Sequence, residues 1–372
     1  MSLTLLLLPQ LIAFREAGYD VVGVSAPGEH VATLEAHGIR HVPLTRSTRA
    51  ADLRADLATA VDFARICRRL RPDIVHTHNP KPGFYGRILA RLMGVPVVVN
   101  TVHGLYALPE DPWRKRTLVY SLERLAAAFS QAELLQNPED LPTLRRLKVP
   151  AAKLHLLGNG VDLARFDPAV HADARARVRA ELGIADGEVV VVGLVGRLVA
   201  EKGYREVFAA GERLRQDHPQ VRFLVAGPAD PDKADAITPA ELDRAAEVAG
   251  VRFLGMQAEV ERLYPAFDLY VLASYREGFP RSAMEAAAMG LPLVLTDIRG
   301  CRQVVDPGRN GLLVPARDAA ALAGAIGRLI ADPELRTSMG RASREKALTE
   351  FDDRRQVQIT LGVYRSLLGT AS

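Results

Sequence analysis

Short apolar runs alternate with longer stretches of helical periodicity along the whole chain. In the first half, 21–25, 74–76 and 97–102 read as strands, and 3–17, 53–70, 83–93 and 113–129 read as helices. The second half repeats the scheme, with strands expected at 189–195, 221–226, 251–254, 269–273 and 293–296 and helices at 203–218, 239–249, 282–289 and 319–331. Such alternation predicts an α/β protein whose parallel sheets are covered on both faces by helices. Two halves of this kind make two doubly wound, Rossmann-like domains facing a cleft, with ligands outside the carboxyl ends of the strands. The stretch NGVDLARFDP at 159–168 breaks both periodicities, which sets the domains at 1–160 and 161–351. The last segment, 352–372, turns helical again and is expected to cross back onto the first domain.

One element is absent from the pattern. A doubly wound domain starts with a strand that lies mid-sheet, yet residues 1–18 leave room only for a helix. An open gap in a sheet leaves backbone groups unpaired, so a true start upstream of Met1 is favoured. The opening run Ser2-Leu3-Thr4-Leu5-Leu6-Leu7-Leu8 has neither the basic region nor the cleavage site of a leader, and it is too short to span a bilayer.

Composition narrows the function classes. A chain of 372 residues exceeds one ordinary core, and 48% apolar with 25% charged residues describes a globular rather than a disordered protein. The formal charge of +4 is too small to point to nucleic acid, but it favours anionic partners, either phosphorylated substrates or an acidic membrane face. Cys67 and Cys301 form no CxxC pair and read as free thiols of a reducing, cytoplasmic compartment.

Two stretches carry chemistry. EGFPRSAMEAAAMG, from Glu277 to Gly290, follows a buried-strand pattern and leads through a glycine and a proline into a helix. A helix N-terminus offers free N–H groups to a phosphate, and a carboxylate accepts two ribose hydroxyls at once. The spacing of Ser282 and Glu285 also fits a plain capping box. GRLVAEKG, from Gly196 to Gly203, places Arg197 and Lys202 at a strand-to-helix turn, an arrangement suited to a diphosphate. A lone pair of cations in a turn is more readily a solvated surface.

Together and in this order, these stretches resemble the donor domain of family 4 retaining glycosyltransferases, along with VRFLGM, EGFPRSAMEAAAMGLPLVLTD and NGLLVP. The first half joins the resemblance through HTHNPKPGFYGR at 76–87, NTVHG at 100–104 and NGVDLARF at 159–166. TDIRGCRQVV at 296–305 is similar to the branch that builds capsule, O-antigen and lipid-linked glycans, although Gln303 stands where that branch often has an acid. The resemblance implies the GT-B fold and retaining, metal-independent transfer from a nucleotide-diphosphate sugar, with UDP-sugar expected, to a hydroxyl acceptor. It implies no cofactor beyond the donor. The expected acceptor is a saccharide or lipid-linked saccharide, which brings peripheral contact with the inner membrane face.

The family's roles carry over residue by residue. Arg197 and Lys202, beside Gly196, would hold the diphosphate, Glu285 the ribose, and Glu277 with the backbone of Gly278, Phe279 and Pro280 the transferred sugar. Gly255 and Met256 would lie beside the base, and His103 would reach the sugar from the first domain. His78, Lys81 and Gly83 are the acceptor-side candidates.

Other features invite chemistry with less support. His76, His78 and His103 lack carboxylate or cysteine ligands at metal spacing, so they are read as cleft or loop residues. Asp230-Pro231-Asp232 has the form of a metal-holding D-x-D but lies in a polar stretch read as solvated loop. WRKRTLVYSLERLAAAF at 113–129 combines Trp113 and three basic residues with Leu118, Leu122, Leu125 and Phe129 at helical spacing. The favoured reading is a core-facing helix, against a membrane-surface one. Rival functions are a nucleotide-sugar epimerase of the same fold and a non-catalytic nucleotide-sugar-binding partner of an assembly complex.

Overall fold

The computed structural model describes residues 3–28, 30–46, 52–78, 80–184, 189–231 and 233–369. The chain divides into two compact units, Met1–Gly158 with Arg354–Ser372, and Asn159–Asp353.

Unit 1 contains strands β1 (Val22–Ser25), β2 (Arg40–Pro43), β3 (Ile74–His78), β4 (Val97–Val102), β5 (Ala132–Leu135) and β6 (Leu154–Leu156). All pairings are parallel, but they fall in two sheets, β1-β2 and β3-β4-β5-β6. Residues 3–16 are helical, and Leu3 packs against Gly23 of β1. Every residue of β4 is buried, as expected of a central parallel strand covered on both faces. Helix Pro80–Leu92 lies close on this sheet because Gly83 and Gly86 face it. A Cβ on Gly86 would come 2.9 Å from Thr77 Cγ2, and one on Gly83 3.1 Å from Asn100 Oδ1. Helix Asp353–Leu367 covers the other face through Val357, Leu361, Val363 and Tyr364.

Unit 2 contains β7 (Val191–Val195), β8 (Arg222–Ala226), β9 (Val251–Gly255), β10 (Leu269–Leu272), β11 (Leu293–Thr296) and β12 (Gly311–Val314). They form one parallel sheet in the order β12-β11-β10-β7-β8-β9. The first strand is central, and the chain winds outward first to one side and then to the other. The topological switch point therefore lies between β7 and β10, where ligands of such sheets bind. Separate apolar cores cover the two faces.

The strands absent from the sequence reading, β2, β5, β6 and β12, are three or four residues long. Segments this short show too few alternations to declare a period.

Candidate functional site

The turn that follows β7 is built by close backbone packing at the switch point. Gly203 has φ +73°, and a Cβ there would lie 2.0 Å from the Ala273 carbonyl oxygen at the end of β10. Gly227, just past β8, has φ +151°, and a Cβ there would lie 1.9 Å from the Gly196 oxygen. Only glycine lets three strand ends meet this closely. The segment after β8 then runs along the turn. Leu198 N donates to Pro228 O at 3.0 Å, Ile237 N to Leu198 O at 3.1 Å, and Ala200 N to Asp235 O at 2.7 Å.

Both cations of the turn are ion-paired. Arg197 Nη1 donates to Asp230 Oδ2 at 2.7 Å, and Lys202 Nζ to Glu277 Oε1 at 2.6 Å. Ser274 Oγ also donates to Glu277 Oε1 at 2.7 Å. The two donors converge on one oxygen, and Oε2 takes no partner among the described residues. Gly300 packs against the Glu277 backbone, since a Cβ there would come 2.6 Å from the Glu277 carbonyl oxygen. Tyr275 ties the loop down. Its N–H donates to Glu201 O at 2.8 Å, its hydroxyl bonds both Glu206 oxygens at 2.7 Å, and Arg317 stacks over its ring at 4.1 Å. Burial, followed by the Glu206 contact, pushes the Tyr275 hydroxyl up to about 12.

Gly278, Phe279 and Pro280 lead into helix Arg281–Ala288, with Asn159 Nδ2 donating to Phe279 O at 3.2 Å. Glu285 is buried in that helix. It accepts from Tyr264 OH at 2.8 Å and from Arg281 Nε at 3.2 Å. Burial raises its carboxyl above the usual range, and Arg281 and Tyr264 pull it back down. The capping-box reading of Ser282 and Glu285 is corrected. Pro280 is the N-cap, and Ser282 Oγ instead accepts from Tyr270 OH at 2.7 Å. Gly255 ends β9 with φ +66° and open space at its Cβ position, and Met256 beside it is exposed. Gly196, Arg197, Lys202 and Glu277 to Pro280 thus gather at the carboxyl ends of β7 and β10, with Gly255 and Met256 two strands away.

In unit 1 the histidines form a chain. His103 Nδ1 lies 3.0 Å from Gln136 Oε1, and His103 Nε2 lies 3.0 Å from His78 Nδ1. The Gln136 oxygen accepts, so His103 carries its proton on Nδ1, and its Nε2 accepts from His78. Both His103 nitrogens are taken, while His78 Nε2 has no partner among the described residues. His76 stacks on His78 with ring centroids 4.3 Å apart and bonds Tyr364 OH at 2.5 Å and Thr101 Oγ1 at 2.7 Å. Burial holds all three rings below the ordinary histidine range, His76 at about 3. Of the other acceptor-side candidates, Lys81 is paired with Asp56 at 2.8 Å and Gly83 is buried against Asn100. Beneath them, the fully buried Glu133 accepts from Arg87 Nη1 and Asn100 Nδ2, each at 2.8 Å.

Against this geometry stand the comparisons with known proteins. The profile described as "Glycosyltransferase Family 4" matches residues 11–165, and "Glycosyl transferases group 1" matches 175–346. Glycogen synthase of Mycobacterium tuberculosis is 30% identical over 306 residues, covering 80% of this chain and 69% of that protein. The chain is a family 4 glycosyltransferase. The UDP-Gal:alpha-D-GlcNAc-diphosphoundecaprenol alpha-1,3-galactosyltransferase of Escherichia coli is 29% identical over 305 residues, covering 80% of this chain and 76% of its own. Among solved structures, Anabaena HepE in complex with UDP superposes with a TM-score of 0.79 at 23% identity, covering 97% of this chain and 96% of that one, which shows the shared GT-B fold. Nothing in these relatives favours the epimerase or the non-catalytic reading.

Two readings of this glycosyltransferase's sequence are corrected. Asp230 is no solvated loop residue, because it pairs with Arg197; Asp232 lies outside the described residues. Helix Trp113–Ala127 does not bury its leucine stripe. Trp113, Leu118 and Leu125 are 65%, 62% and 50% exposed, and Leu122 is exposed beside them. Spacing revealed the stripe but not the side on which the protein lies. Tyr264, Ser274 and Tyr275 were missed altogether, and no local signal marks them. No helix among the described residues is long and apolar enough to cross a membrane.

Proposed function

We propose that this glycosyltransferase moves a sugar, with retention, from a UDP-sugar to a hydroxyl of a polyprenyl-diphosphate-linked saccharide. The observation that carries the reading is the placement of Arg197 and Lys202 together at the switch point, on a turn whose glycines allow close backbone approach. As the sugar–phosphate bond breaks, negative charge grows on the diphosphate. Fixed cations there stabilise it without reorganising. Two protein cations supply this charge, so no divalent metal is required. Glu277 would meet the sugar hydroxyls through its open Oε2, Glu285 the ribose, and the Gly255–Met256 backbone the base. In unit 1, His78 and His103 would meet saccharide hydroxyls. Support for a UDP donor and a lipid-linked acceptor comes from the names of relatives such as the E. coli galactosyltransferase.

A second observation favours contact with a membrane. Trp113, Leu118, Leu122 and Leu125 are exposed on the same helix as the exposed Arg114 and Arg124. The one acid of that helix, Glu123, is paired inward with Arg87. Exposed leucines beside arginines that pair with no acid among the described residues suit an anionic lipid surface.

The test of the donor site is calorimetric titration of UDP and GDP, with and without EDTA, on the protein and on Lys202→Ala. Each charge-assisted contact to a diphosphate contributes on the order of 1.5–3 kcal/mol. UDP binding that survives EDTA and weakens at least about tenfold in the variant is expected. Failure of the folded protein to bind either nucleotide, or binding abolished by EDTA, would overturn the reading.

A further inference from the structure

We propose that Asp230 is a displaceable stand-in for a phosphate group in the donor cradle, and that it weakens the hold on nucleoside diphosphate and speeds its release. The inference rests on the donor-site reading above. Its basis is an asymmetry between the two ion pairs. Glu277 is fixed by a third group, Ser274, and the Lys202 and Glu277 side chains are 25% and 13% exposed. The Asp230 carboxylate accepts from Arg197 alone among the described residues, and the Arg197 and Asp230 side chains are 41% and 24% exposed. One pair is built into the loop, and the other is open to exchange.

Asp230 is nevertheless delivered to Arg197 by design of the backbone. The segment that carries it bonds to the cation turn on both sides of the aspartate, at Pro228 and at Ile237. Asp235 of the same segment accepts from Glu201 N at 3.0 Å. The carboxylate therefore holds Nη1 of the guanidinium, as a phosphate oxygen would. A diphosphate that takes Nη1 must displace Asp230, and one that takes the other N–H groups of Arg197 sits beside a like charge. Both effects lower affinity, and among variants of one site such differences fall mainly on the dissociation rate. Release of nucleotide product limits turnover in many enzymes that close over their substrates, so a built-in competitor has a use.

The experiment is UDP titration and stopped-flow UDP release on the protein and on the variants Asp230→Asn, Arg197→Ala and the two combined. Asp230→Asn is expected to lower the UDP dissociation constant at least fivefold and to slow release in proportion. In the Arg197→Ala background the same change should gain clearly less, because the competition for that guanidinium is gone and only the like-charge effect remains. Asp230→Glu should behave like the unaltered protein. Unchanged or weaker UDP binding in Asp230→Asn overturns the proposal and makes Asp230 a residue that merely aims Arg197. If Arg197→Ala does not weaken UDP binding at all, the donor-site reading itself falls, which is a different result. The pair is partly exposed, so thermal melts of these variants should lie close to that of the unaltered protein.

Discussion

A Cβ atom on Gly203 would stand 2.0 Å from the carbonyl oxygen of Ala273, so the cation turn and the end of β10 touch backbone to backbone. Gly203→Ala must push them apart, and its φ of +73° adds left-handed strain. The expected cost is roughly 1–3 kcal/mol of stability, of the size reported for strained backbone sites. UDP binding should suffer more than stability does, because Lys202 moves with the turn. A melting curve and a titration on the same sample check both.

Arg87 and Glu133 form a fully buried ion pair under helix Pro80–Leu92, with Glu123 as a second partner of the arginine. Removing one partner of such a pair leaves an uncompensated charge and costs about 3–5 kcal/mol. Arg87→Met should therefore lower the denaturant midpoint sharply. Arg87→Met with Glu133→Leu should recover much of the loss. A double variant no more stable than the single would show that the pair is not the source of the effect.

The histidine chain gives unit 1 an acid-sensitive window. Burial depresses the His76, His78 and His103 rings, so the unfolded chain binds protons that the folded one refuses. Their contribution is complete above the ordinary value of 6.5 and is lost as pH falls, for His76 down to about 3. Urea unfolding between pH 7 and 4.5 should show stability declining with acid before most carboxylates titrate. His76→Asn should flatten that decline; an unchanged slope would assign it to other groups.

The exposed leucines of helix Trp113–Ala127 predict a membrane phenotype. Flotation with vesicles containing anionic lipid should carry the protein, and neutral vesicles should carry less. Leu118→Glu with Leu125→Glu should reduce flotation about tenfold or more while UDP titration stays unchanged. Equal flotation of the variant would remove this helix from the contact.

Much of this architecture was readable in the sequence because long apolar runs such as Val189 to Val195 and cleanly periodic helices such as Ala319–Ala331 repeat in alternation. The elements that escaped are those whose identity depends on neighbours. β6, with only Leu154, His155 and Leu156, is a strand because β5 offers it an edge. Arg197 and Asp230 were both noticed, but their pairing needs the crossover from β7 to β8 to bring them together, and nothing local encodes it. The Leu118 stripe was seen with the wrong face turned inward, since periodicity defines a stripe and not what it faces.

Unit 2 is an insertion within unit 1, because the chain leaves unit 1 at Gly158 and returns at Arg354. During synthesis, the whole of unit 2 is made before the helix that completes unit 1 exists. Until then the face of β4 and β5 awaiting Val357, Leu361 and Tyr364 is uncovered, and His76 lacks its tyrosine. A nascent chain arrested near residue 350 would thus hold a nearly finished unit 2 and an unfinished, histidine-bearing unit 1. Loss of the last twenty residues would damage the end of the molecule that was translated first.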